Sequence, residues 1–281
     1  MVKKPVYTLE DLLQLMACLR DTVHGCPWDR QQNFTSIAPH TLEEVYEVID
    51  TIERADFEQL PDELGDLLFQ IVFYAQLGRE QQLFDFDTIV TAITSKLLHR
   101  HPHVFPDATL MSFGVASKLA PEGVVAKWEA IKTAERRAKR LRSAESDASN
   151  SVLDDVPLAL PAIPRAAKLQ KRAATQGFDW NTATAVLEKV EEEIAELKAA
   201  MHQNHASSIK EEFGDLLFSM VNLSRHLQIE PEQSLRDANA KFERRFRQLE
   251  ALVAADGHTV HVLSADQLES YWRRVKQSET R

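Results

Sequence analysis

Apolar positions along this chain recur at three- and four-residue intervals over almost its whole length, with little strict alternation. That interval is the helical one, because about 3.6 residues complete a turn. With 8 Gly and 11 Pro among 281 residues, and β-branched residues scattered, the pattern predicts an all-α fold. The periodicity lapses over KTAERRAKRLRSAESDASN (132–150), which passes from basic to Ser/Ala/Asp-rich and leads into the proline-spaced VPLALPAIP. Such a lapse reads as a linker. The expected organisation is a domain at 1–131, a linker at 132–160 and a domain at 161–281. The basic run at 136–142 is read as a solvated helix end.

Both halves carry one pattern. LEEVYEVID followed by DELGDLLFQIVF returns as EEEIAELKA followed by EEFGDLLFSMVN. Glu44, Glu47, Glu63 and Asp66 recur as Glu193, Glu196, Glu212 and Asp215, each displaced by 149 positions. Lys96 and Arg100 recur as Lys241 and Arg245 at a displacement of 145. An internal repeat of this kind predicts two related helical bundles.

On the helix expected from Glu63 to Ala75, Leu64, Leu67, Leu68, Ile71, Val72 and Ala75 cover one broad side, and Phe69 and Phe73 extend it. Only Glu63, Asp66 and Gln70 form a polar stripe, repeated as Glu212, Asp215, Ser219 and Asn222. A helix so patterned is expected to be buried nearly all round. Ionised carboxylates there need compensation. The preceding helix brings more acids rather than enough Lys or Arg, so a divalent cation is expected. Donors that are all oxygen favour Mg²⁺, with Mn²⁺ as substitute, over Zn²⁺. Mg²⁺ commonly shares its shell with phosphates, so the ligand expected is a polyphosphate. Lys241 and Arg245, at i,i+4 on one face, are placed to hold its tail and are expected to face solvent until it arrives.

Composition narrows the partners. A formal charge of −10 opposes binding to a nucleic-acid backbone. Two cysteines, Cys18 and Cys26, make no disulfide framework. Neither an apolar signal core nor a run of membrane-spanning length occurs, so the expected location is cytoplasmic, away from membranes. His99, His101 and His103 are read as a structural corner around Pro102, and Cys26 as a buried anchor.

GCPWDRQQ (25–32), LEEVYEVID, ELGDLLFQIVF, KLLHRHPHVF (96–105), VPLALPAIPRAAKLQKRAA, GFDW (177–180), EEFGDLLFSMVN and KFERRF stand in the order of the tandem-domain members of the MazG family of nucleoside triphosphate pyrophosphohydrolases. The chain resembles that family over nearly its whole length. The family pattern EExxE then ExxD is present as Glu43, Glu44 and Glu47 with Glu63 and Asp66, and as Glu192, Glu193 and Glu196 with Glu212 and Asp215. The resemblance implies helical bundles paired as homodimers, Mg²⁺ held by these acids, and water attack at the α-phosphorus that releases pyrophosphate and leaves the monophosphate. It also implies a loosely held base, hence a broad range of NTPs and dNTPs, and a housecleaning role in the nucleotide pool.

By the same resemblance the second half is catalytic, with Glu193, Glu196, Glu212 and Asp215 as metal ligands and catalytic acids. Glu192, Lys210, Lys241, Arg245, Trp272 and Lys276 would then line the nucleotide. Glu44, Glu47, Glu63, Asp66, Lys96 and Arg100 would form a second or vestigial site. A lysine that relatives carry before the second acidic pair is replaced by Ser207 and Ser208, which leaves Lys210 as the nearest candidate. Residue-level readings agree with the asymmetry. Thr41 and Glu44 make a T-x-x-E capping box, which offers Glu44 a structural task. The helix of Glu193 can start near Asn181 or Thr184 and leave that acid well inside, and Trp272 and Lys276 follow only the second half. The competing class is a nucleotide-binding regulatory or scaffold protein without turnover. A di-iron bundle ranks last, because no Glu-x-x-His pair accompanies the acids.

Overall fold

A computed structural model gives the fold and describes residues 6–114, 123–124, 127–128, 131, 133–135, 151–154 and 156–279. The first half runs through α1 (Leu9–Leu19), α2 (Pro27–Gln31), α3 (Phe34–Glu53), α4 (Leu60–Glu80) and α5 (Phe86–Arg100). The second runs through α6 (Ala162–Ala174), α7 (Ala183–Gln203), α8 (Ala206–His226), α9 (Pro231–Ala255) and α10 (Ala265–Glu279). Among the described residues there is no strand, as the periodicity predicts. The chain divides into two compact units, Met1–Ser143 and Ala144–Arg281. The basic run at 136–142 and most of the expected linker lie outside the described residues.

Each unit is built on a helical hairpin. In the second, Asn204 ends α7 in the left-handed conformation at φ 53°, which a short polar side chain tolerates, and α8 starts two residues later. In the first, residues 54–59 join α3 to α4. Met16, Ile37, Val72, Phe73 and Leu77 form the first core, with Leu12, Phe34, Phe69 and Phe86 packed around it. Leu249, Val253 and Val275 form a second cluster that seats α10 on α9, with Tyr271 and Trp272 against it.

The GCPWDRQQ segment has a structural explanation. A Cβ on Gly25 would stand 2.5 Å from the carbonyl oxygens of both Asp21 and Leu19, so only glycine fits that turn. Arg20 holds the segment to α4. Its guanidinium donates to the carbonyls of Asp29 and Gln32 and pairs with Glu80 at 2.6 Å, while lying 5.3 Å from the Phe73 ring centroid. Cys26 is half-buried rather than buried, and its backbone N–H, donating 2.7 Å to the Leu19 carbonyl, does the anchoring. At the histidine corner, the His101 Nδ1–H donates at 2.6 Å to the Leu97 carbonyl, and its ring meets His103 and Trp128 with centroids 5.6 Å away.

Two sequence expectations fail here. Thr41 caps nothing: α3 starts seven residues earlier, capped by Asn33 in a box with Ser36, and the Thr41 hydroxyl bonds the Ile37 carbonyl and Tyr74 instead. Asn33 won because its side chain reaches the N–H groups of Thr35 and Ser36, which opens the helix before Thr41 is reached. Nor is α4 buried all round. Leu64, Leu68 and Ile71 remain 48%, 38% and 38% exposed, and on α8 Phe213, Leu217 and Phe218 are exposed as well. Among the described residues, the helices of each unit cover one side of such a helix and leave the other open.

Candidate functional site

In the second half the carboxylates are brought together by the α7–α8 hairpin. Thr182 caps α7 by accepting from the Ala185 N–H, so Glu193 falls well inside the helix, where it is 5% exposed. Glu196 lies one turn further on, and Glu212 arrives from α8 as that helix folds back. Carboxylate oxygens of Glu193, Glu196 and Glu212 all lie within 4.8 Å of one another. Desolvation first, then the charges of Glu196 and Glu193, push the Glu212 carboxyl above its ordinary range. Asp215 is exposed and stands outside this trio, although its charge adds to the field at Glu212. Sequence reasoning missed Lys189. Its ammonium sits 2.9 Å from Glu193 and 2.8 Å from Glu192, and those two acids hold its proton more tightly than usual. The i,i+4 spacing from Lys189 to Glu193 was the available signal. One ammonium leaves three convergent carboxylates in excess of positive charge, and the oxygen-only donors suit a hard divalent cation.

The first half repeats the geometry with a difference. Oxygens of Glu44, Glu63 and Asp66 also fall within 4.8 Å, while Glu47 stays outside that set. Burial, Asp66 and Glu47 raise the Glu44 carboxyl. Amide groups crowd this cluster: Gln59 donates to Glu63 at 2.6 Å, and the Gln70 amide lies 3.5 Å from Glu44. Gln70 is 6% exposed, and its Oε1 has no hydrogen-bond partner. The second half has the smaller Ser219 at the matching position, which lacks the amide that Gln70 brings to Glu44.

The basic residues are arranged differently from the sequence expectation. Lys241 and Lys210 are exposed, but Arg245 is half-buried and already paired, with Glu279 of α10 at 2.7 Å. Arg100 in the first half is likewise paired with Glu135, its Nε 3.1 Å from the carboxylate. These partners show that Trp272 and Lys276 are not peculiar to the second half. The spacing W-x₃-K-x₂-E occurs as Trp128, Lys132 and Glu135 and again as Trp272, Lys276 and Glu279; Lys132 lies outside the described residues. Sequence reading missed the first copy because it sits beyond the better-matched acidic motifs. Trp272 packs its ring 5.5 Å from Phe242 and against the α9–α10 cluster, so it anchors the last helix.

The GFDW turn is pinned from a distance. Asp179 takes both the Arg225 guanidinium and His226, and Arg225 also bonds Asn222 at 2.7 Å, the last residue of the α8 polar stripe. Arg225, then His226, hold the Asp179 carboxyl down at about 2.

Comparison with known proteins bears on this geometry. The sequence profile described as the MazG nucleotide pyrophosphohydrolase domain matches twice, over residues 32–105 and 181–249. A nucleoside triphosphate pyrophosphohydrolase of Escherichia coli K12 is 48% identical over 273 residues, covering 96% of this chain and 98% of that protein. A Thermotoga maritima protein named nucleoside triphosphate pyrophosphohydrolase/pyrophosphatase MazG is 37% identical over 275 residues, 98% of each chain. A nucleoside triphosphate pyrophosphohydrolase of Mycolicibacterium smegmatis is 26% identical over 288 residues, 98% of this chain and 72% of that protein.

Proposed function

Because this chain belongs to the MazG nucleotide pyrophosphohydrolase family, with both halves matching the domain, it is a nucleoside triphosphate pyrophosphatase, and we propose that it cleaves NTPs and dNTPs of any base between the α- and β-phosphorus. The products are the nucleoside monophosphate and pyrophosphate, and the role is housecleaning of the nucleotide pool. The observation that carries the reading is the meeting of Glu193, Glu196 and Glu212 within 4.8 Å on a helical hairpin, where Lys189 pairs with one of the three.

In this reading residues 161–281 are the catalytic domain, and Glu193, Glu196 and Glu212, joined by Asp215, hold Mg²⁺, for which Mn²⁺ substitutes. The ion supplies neutralisation of the polyphosphate and of the charge that grows in the transition state. Lys189 pairs with Glu192 and Glu193 and holds both oriented while the site is assembled. A carboxylate of the set left unliganded orients the attacking water and accepts its proton. Lys241 and Arg245 take the phosphate tail, and Lys210, Glu192, Trp272 and Lys276 border the nucleoside. The chains pair as homodimers through the open apolar sides of their hairpins. The acids and amides of the first half, with Lys96 and Arg100, form a vestigial copy.

Pyrophosphate release is the direct test. With Mg²⁺ and each of the eight common nucleotides, the expected result is monophosphate and pyrophosphate in equal amounts, and none in EDTA. Diphosphate plus orthophosphate as products would overturn the reading.

A further inference from the structure

The contact between α9 and α10 gives one carboxylate two guanidiniums. Glu279 Oε2 lies 2.7 Å from both Nε and Nη2 of Arg245, and Oε1 lies 3.3 and 3.2 Å from the same two atoms of Arg244. The Arg245 pair is the sheltered one: its side chains are 24% and 22% exposed, against 57% for Arg244. Lys241, Arg244 and Arg245 crowd three cations into little more than one turn of α9, where mutual repulsion would splay such long side chains into solvent. Glu279 removes part of that repulsion and grips Arg245 by one edge. A guanidinium presents five donors in a rigid plane, so the Nη1 side stays available, and among the described residues Nη1 takes no protein acceptor.

We propose that Glu279 is a positioning residue for Arg245, holding its Nε–Nη2 edge so that the remaining donors are set in advance for the triphosphate tail. This rests on the phosphate-tail reading of Lys241 and Arg245 given above. The internal repeat is the independent support. Glu135 grips Arg100 by the same edge, from Nε at 3.1 Å and Nη2 at 2.5 Å, although the sequence between the paired residues has changed. A contact whose sole task was to tie α10 down has no need to preserve the edge. Fixing a rotamer-rich side chain before the ligand arrives is worth on the order of three- to tenfold in affinity.

The test uses the full chain with Mg²⁺ and ATP, and inorganic tripolyphosphate as a competing ligand without a base. Glu279→Ala is expected to raise both KM and the tripolyphosphate inhibition constant about three- to tenfold, with kcat within about twofold. Glu279→Gln keeps one accepting oxygen and should fall between. In an Arg245→Ala background the Glu279→Ala change should add nothing, which a helix staple would not predict. A lower KM in Glu279→Ala would mean that Glu279 competes with phosphate, and would overturn the proposal. So would an unchanged KM beside a raised one in Arg245→Ala, or an effect that persists at full size in the Arg245→Ala background. Should Arg245→Ala itself leave KM and tripolyphosphate binding unaltered, the phosphate-tail reading is what fails, and this inference falls with it.

Discussion

At the scale of single residues, the two carboxylate clusters invite a paired comparison. Glu193→Ala removes a proposed metal ligand and should lower pyrophosphate release by about 100-fold or more. It should cost little stability, because Lys189 keeps Glu192 as a partner at 2.8 Å and no charge is stranded. Glu44→Ala should leave most activity. It loses no cap contact, since Asn33 and Ser36 cap α3, and it removes the burial cost and the repulsion from Asp66 and Glu47 that together raise the Glu44 carboxyl. Its melting temperature should therefore match or exceed that of the parent. Activity that survives loss of Glu193 and vanishes with Glu44 would place the working site in the first half. The acids were legible at this scale because their i,i+3 spacing is local. Lys189 is equally local, since its i,i+4 spacing to Glu193 lies within about one helical turn.

At the scale of elements, long-range ion pairs hold short segments to long helices. Asp179 clamps the GFDW turn to the end of α8 through Arg225 and His226. Its carboxyl is held near 2, below the 3.8 of an unperturbed aspartate. The folded state thus binds this proton more weakly than the unfolded chain. The clamp's contribution is complete above about pH 4 and is lost as pH falls through about 2. Asp179→Asn should destabilise the chain by about 1 kcal/mol at neutral pH, after allowance for solvent screening. The difference in urea midpoint between variant and parent should shrink on acidification over that window. An unchanged difference down to about pH 2 would show that the ion pair contributes nothing. The sequence displayed GFDW as a motif without displaying its partner, because Arg225 lies 46 positions away.

At the scale of the whole molecule, the hairpin helices expose apolar side chains that their own unit does not cover. Leu64, Leu68 and Ile71 on α4 and Phe213, Leu217 and Phe218 on α8 are 38–53% exposed. Exposed apolar surface of this kind marks an interaction face, and the proposed homodimer would cover it. Light scattering should give twice the chain mass, and Leu217→Asp should shift the protein toward the monomer; a wild-type monomer at micromolar concentration would remove the dimer. The sequence by itself determined the helical class, the duplication and the spacing of the eight acids, because these follow from a 3.6-residue period and from contacts within one or two turns. Only the tertiary structure decided that Glu193, Glu196 and Glu212 converge while Asp215 stands apart, that Glu279 holds Arg245, and that α4 and α8 each keep an open side. Those outcomes depend on how packed helices are rotated and which side chains meet across them, and a repeat along one helix carries no information about its rotation against another.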